Sequence, residues 1–248
     1  DGRKVEKRIG THLEHTLKLA SVCELFSDIF SEDWKDRNLL KIKLASILHD
    51  IGKTGGLNNT PQEQKTFTLL FSFFEPEYEM GKKLKEATIG ETIERHSLPE
   101  EKEGMLASLP GLGLSPDQKM SEVFGKHVDY TYEILKSTPG IDSEILYIAS
   151  SHHNGLRNYP HQLKDEELES LLPDDPERTR ELREAAKLLE ISDVFEALLS
   201  RGQIKDPSEV IDELINLYNR ASQRDNRDLS IELEMLNKIK VMLAKLPK

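Results

Sequence analysis

Cysteine occurs once in the 248 residues, at Cys23, so the chain has neither a disulfide framework nor a cysteine-based zinc site. The reducing cytosol is the expected compartment, and Cys23, on an apolar helix, is expected to be a small buried hydrophobe. Cationic side chains are in deficit: 34 Lys and Arg stand against 45 Asp and Glu, for a net charge of −11. That excludes a broad cationic face for duplex nucleic acid, which needs clustered Lys and Arg to neutralise phosphates. A nucleotide substrate stays open, because a bound metal can supply positive charge locally. No apolar run approaches the roughly 20 residues of a membrane span. The most apolar stretch, Phe67 to Phe74, is interrupted by Thr68 and Ser72, and no basic-then-apolar leader opens the chain. Glycine-rich phosphate loops are lacking too, since Gly111 and Gly113 have no strand before them and no lysine after. The chain begins Asp1-Gly2 without Met, and is expected to be a piece of a longer protein.

Valine is scarce, with seven in the whole chain, and no segment alternates apolar and polar residues for long enough to make a strand. What is present is helical periodicity. Val5, Ile9, Leu13, Leu17, Ala20 and Phe26 fall near helical spacing over 4–30, and Leu40, Leu44, Ile47, Leu48 and Ile51 over 36–51. Gly52, Gly55 and Gly56 then stop that helix. Further helices are expected at about 62–74, 77–96, 117–137, 141–152, 176–200, 208–222 and 229–246. Pro61, Pro76, Pro99, Pro116, Pro139, Pro160, Pro176 and Pro207 punctuate the segments. Glu166 to Glu169 reads as a solvated charged face. The expectation is one all-α domain over 1–248, with an insertion at about 54–109 and C-terminal helices at about 206–248.

Histidine carries the chemistry. His49-Asp50 ends an apolar helix in the string Ile47-Leu48-His49-Asp50-Ile51-Gly52-Lys53. Taken alone, it fits a helix cap in which His49 bonds the last carbonyls and Asp50 pairs with Lys53. His152-His153 ends another apolar segment, before Asn154-Gly155. At a helix terminus both imidazoles can turn toward one cavity. Asp193 lies in the apolar run from Leu188 to Leu198, where an unpaired carboxylate is costly. Together with His15 and His127, these residues make a set of five imidazoles and two carboxylates, suited to two first-row transition metals. His12 shares a helix face with His15 and is expected beside the set, not in it. His96 and His161 have no companions at ligand spacing and are expected to face solvent.

The order His15…His49-Asp50…Asp193 resembles the pattern of the HD superfamily of metal-dependent phosphohydrolases. Glu14-His15-Thr16-Leu17-Lys18-Leu19-Ala20 is similar to that family's first helix, and His49-Asp50-Ile51-Gly52-Lys53 to its central motif. The run Pro110 to Leu135 with Lys126-His127-Val128, then His152-His153-Asn154-Gly155 and Asn158-Tyr159-Pro160, resembles the HD-GYP branch, with asparagine in place of the glycine of Gly-Tyr-Pro. Asp193-Val194-Phe195-Glu196-Ala197-Leu198 is similar to the branch's last ligand helix. Thr11 stands where some members carry a glutamate for a third metal.

The resemblance implies an all-α helical bundle holding two divalent transition metals, Fe or Mn first, with Zn, Ni, Co or Mg as alternatives. One ion is expected on His15, His49, Asp50 and Asp193, and the other on Asp50, His127, His152 and His153, with Asp50 bridging. A metal-bridging hydroxide attacking phosphorus, with Lys53 beside the phosphoryl oxygens, gives a phosphodiesterase for a cyclic dinucleotide, cyclic di-GMP favoured. Tyr159, Arg201 and Lys205 resemble the branch's substrate contacts. Two alternatives stay open: an HD phosphohydrolase for another nucleotide or phosphoester, and a catalytically silent signalling module. A homodimer and an upstream sensor domain are consistent with the resemblance. The segment 54–109, with Phe67, Leu69, Leu70, Phe71, Phe73 and Phe74, is too apolar to stay in water. It is expected to pack on the metal-bearing core or on a second copy, and to restrict access to the metals.

Overall fold

The computed structural model describes residues 2–73, 85–156, 160, 162–200, 204 and 206–245, the side chains of 2–12 and of Ser72 excepted. It is all-α, as expected: among the described residues the only sheet-like feature is one isolated bridge between Thr88 and Lys119. The helices are α1 (Gly2–Phe26), α2 (Glu32–Leu48), α3 (Pro61–Ser72), α4 (Ile89–His96), α5 (Pro99–Ser108), α6 (Met120–Ser137), α7 (Ser143–Ser150), α8 (Asp165–Glu169), α9 (Pro176–Ser200), α10 (Pro207–Asp225) and α11 (Ser230–Leu243).

Local chemistry sets the ends. Ser31 caps α2 by accepting from Trp34 N, with Glu32 and Asp33 in the first turn. Thr60 with Glu63, and Thr88 with Glu91, form reciprocal capping boxes that start α3 and α4. The second box divides the expected helix at 77–96: Lys85 and Glu86 are helical, the helix breaks at Ala87 and Thr88, and α4 starts at Ile89, while residues 74–84 lie outside the described residues. Helix α5 was not expected at all. Pro99 looked like a break, yet it sits in the first turn, where proline's missing N–H costs nothing. The charged stretch at 166–169 is likewise part of a short helix, α8, whose Leu168 is buried beneath its exposed acids.

The chain divides into two compact units. One comprises residues 11–49, 141–158 and 165–248. Here α9 is the central helix, packed against α2, α7, α10 and α11. Phe26 and Phe195 meet edge to face at 4.8 Å, and Cys23 is fully buried, as expected of it. The other comprises residues 1–10, 50–140 and 159–164. Its core joins Phe67 and Leu70 of α3, Ile89 and Ile93 of α4, and Met105 of α5 with Leu109 just after it to Met120, Val123 and Phe124 of α6. The apolar run of the 54–109 segment is therefore satisfied by α6 and by its own later helices.

Candidate metal centre

In the unit built around α9, four imidazoles and two carboxylates gather from four places. His15 is on α1, His49 directly follows α2, His152 and His153 follow α7, and Asp193 and Glu196 are on α9. The rings run in a chain. His15 and His49 have centroids 5.6 Å apart, His49 and His152 4.9 Å, and His152 and His153 4.1 Å. Nε2 of His15 lies 3.2 Å from Asp193 Oδ1, and Nε2 of His49 lies 3.7 Å from the same oxygen.

In His15, His49 and His152 the other ring nitrogen is fixed. His49 Nδ1 donates to Ser46 O at 2.8 Å and His152 Nδ1 to Ala149 O at 2.6 Å. His15 Nδ1 donates to Glu196 Oε2 at 2.5 Å, and Ser200 donates to the second oxygen of Glu196. Carbonyls and carboxylates only accept, so in all three rings Nδ1 carries a proton and Nε2 faces the other way. Such outer hydrogen bonds are the usual support of metal-binding histidines. Where Nε2 of His15 and His49 faces the Asp193 carboxylate, either a second ring proton or a cation has to lie between them. A divalent ion on nitrogen and oxygen donors fits that arrangement. Burial pushes the Asp193 carboxyl up, but His15 and His49 more than reverse this and hold it well below the usual carboxylate range.

In the other unit, Asp50 and His127 face each other, with His127 Nε2 3.4 Å from Asp50 Oδ1. Lys53, on a single 3₁₀ turn (Ile51–Thr54), forms an ion pair with Asp50 Oδ2. His127 repeats the pattern of the other rings, its Nδ1 donating to Phe124 O. Burial pulls its pKa down, against the opposing effect of Asp50, and so favours the neutral, ligating imidazole. The 3₁₀ turn lies tight on α6: Gly52 N donates to Thr131 Oγ1 at 3.0 Å, and a Cβ on Gly52 would come within 2.0 Å of His127 O. Phe71 of α3 completes this set, its ring 5.5 Å from that of His127 and 5.7 Å from Lys53 Nζ.

The capping geometry expected of a plain helix end is therefore present, with His49 on a carbonyl of α2 and Lys53 on Asp50. The break between the units falls at the His49–Asp50 peptide. Tyr159, Arg201, Lys205 and His161 lie outside the described residues, as does the His12 side chain. His96 is exposed, as expected, and stacks on Phe73. Glu196 and Glu190 are further acids of this region that the motifs do not single out; with Asp193 they place an acid at every third position of an apolar helix. That spacing was the available signal.

No curated protein and no solved structure matches the chain. Residues 12–117, the stretch that carries His15, His49, Asp50 and Lys53, match the family model described as HD domain.

Proposed function

We propose that this chain is a two-metal phosphodiesterase of the HD-GYP type that opens a cyclic dinucleotide, cyclic di-GMP first among candidates. HD domains are generally metal-dependent phosphohydrolases. The observation that carries the reading is the common fixing of His15, His49 and His152 through Nδ1, which turns Nε2 toward the Asp193 carboxylate in two of the three. His15, His49 and Asp193 are assigned to one ion, His127, His152 and His153 to the other, and Asp50 to both.

When bound, Fe or Mn ions supply Lewis acidity and a water of lowered pKa. The protein's own part is to hold the donors, to keep Asp193 ionised, and to present the Lys53 ammonium to the developing phosphoryl charge. One observation favours a second reading, hydrolysis of a smaller phosphoester: the Phe71 ring beside both Lys53 and His127 adds apolar bulk on that side.

The test is metal analysis of the purified protein, then turnover of cyclic di-GMP and of bis(p-nitrophenyl) phosphate with Mn²⁺ or Fe²⁺. Metal uptake with cyclic di-GMP opened supports the first reading. Turnover of the small ester alone supports the second, and a protein that takes up no metal is neither.

A further inference from the structure

The backbone that follows His152-His153 has an accounting problem, and a single side chain resolves it. Ser151 N is satisfied by Tyr147 O and Asn154 N by Ser151 O, which leaves the N–H groups of Gly155 and Leu156 inside the protein with no carbonyl to take them. Both donate to Glu190 of α9, Gly155 N to Oε2 at 2.8 Å and Leu156 N to Oε1 at 2.7 Å. Glu190 is itself buried. The carbonyls of the same two residues are held from the other side: Arg227 Nη1 donates to Gly155 O at 2.9 Å and Arg224 Nη2 to Leu156 O at 3.3 Å. Helix α10 ends in the left-handed residue Asn226, which turns the chain so that Arg227 can reach back. Glycine at 155 is required for this approach, since a Cβ there would meet Glu190 Oε2 at 2.4 Å.

We infer that Glu190 is a positioning residue for the metal centre: its two-amide clamp, backed by Arg227, fixes the turn that aims His152 and His153. The inference rests on the metal-centre reading above. A buried carboxyl group beside an apolar core is an expensive way merely to close a loop, because an apolar side chain with a differently routed backbone leaves nothing unsatisfied. Outer-shell partners of metal ligands change metal affinity by about 10–100-fold when removed, and the same range is expected here.

The test compares the wild-type chain, Glu190→Ala, Glu190→Gln and a control, Glu181→Gln, which alters a buried acid of α9 that pairs with Arg37 and Arg178. Each is stripped with chelator and titrated with Mn²⁺, with calorimetry for stoichiometry and electron paramagnetic resonance for coupling between ions. The wild type and the control are expected to take two ions that couple magnetically. Glu190→Ala should take one ion at wild-type affinity and the second at least tenfold more weakly, with an uncoupled Mn²⁺ signal. Glu190→Gln, which keeps the shape and one accepting oxygen, should recover part of the loss. A merely structural role would lower the melting temperature and leave both ions alike. Folded Glu190→Ala with two ions at wild-type affinity overturns the inference. If Glu190→Ala does not fold, Arg227→Met decides by the same titration: a selectively weakened second ion supports the clamp, and unchanged binding overturns it. A wild type that binds fewer than two ions overturns the dinuclear reading itself, and that is visible before any variant is made.

Discussion

At the scale of single residues, the site depends on carboxylates that do not themselves have to touch an ion. Burial raises the pKa of Glu196, and His15 and Ser200 outweigh that by bonding its ionised form, so the carboxylate is available to hold the His15 ring. Glu196→Ala should release that ring and weaken the ion assigned to His15 by about 10–100-fold. A Mn²⁺ titration checks this, and unchanged affinity would remove Glu196 from the site. Lys53 is the complementary case. Its ammonium pairs with Asp50 and lies near the Phe71 ring, and it ligates nothing. Lys53→Ala should therefore keep its metal while turnover falls by about 100-fold or more, the size seen when one transition-state donor is removed. Full turnover at saturating metal would show that the ammonium does not assist the reaction. Asp50→Ala should instead lose metal and turnover together, since one carboxylate is assigned to both ions.

At the scale of elements, α2, α7 and α9 are tied by a charged knot around Arg178, which bonds Asn38 of α2, Glu144 of α7 and Glu181 of α9, while Lys41 and Arg37 hold the outer sides of the two acids. These helices carry or adjoin His49, His152 and Asp193. Removing the central cation strands two largely desolvated carboxylates. With Lys41 and Arg37 still in place, Arg178→Met should cost about 2–3 kcal/mol, somewhat less than a fully broken buried pair. Denaturant unfolding measures it. The hydrogen bond from Arg178 is the main reason that the Glu144 pKa is lowered to about 2. A carboxyl depressed in the folded state stabilises above its ordinary value near 4.5, and that stabilisation is lost as the pH falls toward 2. Wild type should thus lose stability between about pH 4.5 and 2 more steeply than Arg178→Met. Gly52→Ala tests the contact between the 3₁₀ turn and α6: with backbone atoms of His127 and Thr131 within 2.5 Å of the new Cβ, neither element can yield cheaply. A loss of about 3 kcal/mol or more is expected.

At the scale of the whole molecule, the residues proposed as ligands span positions 15 to 193, so the proposed site requires the chain to be folded throughout. Ions that bind only the folded state should raise the melting temperature, by about 2.7 kcal/mol of added stability at a hundredfold excess over Kd, and chelation should reverse it. The metal-free chain should also show a basic-side dependence. Burial raises the Glu190 pKa to about 8, its two amide bonds and Arg227 acting against the burial and Glu232 with it. A carboxyl raised in the folded state holds its proton there and gives it up on unfolding, so stability is greatest below its ordinary value near 4.5 and declines as the pH rises through about 8. Glu190→Gln should flatten that decline in melts taken from pH 5 to 9. The 54–109 segment also looks different at this scale. It was expected to pack on the metal-bearing core or on a second copy and to restrict access to the metals; it shares a core with α6, the helix of His127, so replacing it with a linker should unfold its unit and would not test a gate. Phe71→Ala is the sharper test: if the segment restricts access, cyclic di-GMP turnover should rise relative to the small ester. An unchanged ratio would deny Phe71 that role.

Helical periodicity, capping residues and the near absence of valine made the all-α architecture legible from the chain alone, because helices are stabilised by contacts three and four residues apart. His15, His49, His152 and Asp193 were legible for a related reason: a polar group in an apolar helix has to be satisfied by something, and several such groups share one solution. Their outer partners were not legible. Glu196 lies 181 residues from His15, and Glu190 lies 35 from Gly155, so only tertiary packing could choose which acid of α9 faces a ring and which faces a turn. The same holds for α5 and for Phe71. A proline reads as a break until its place in the first turn is known, and an apolar run cannot name the helix it will cover. Residue types and their local spacing determined which chemistry this chain can support, and the packing of distant segments determined which side chains hold it in place.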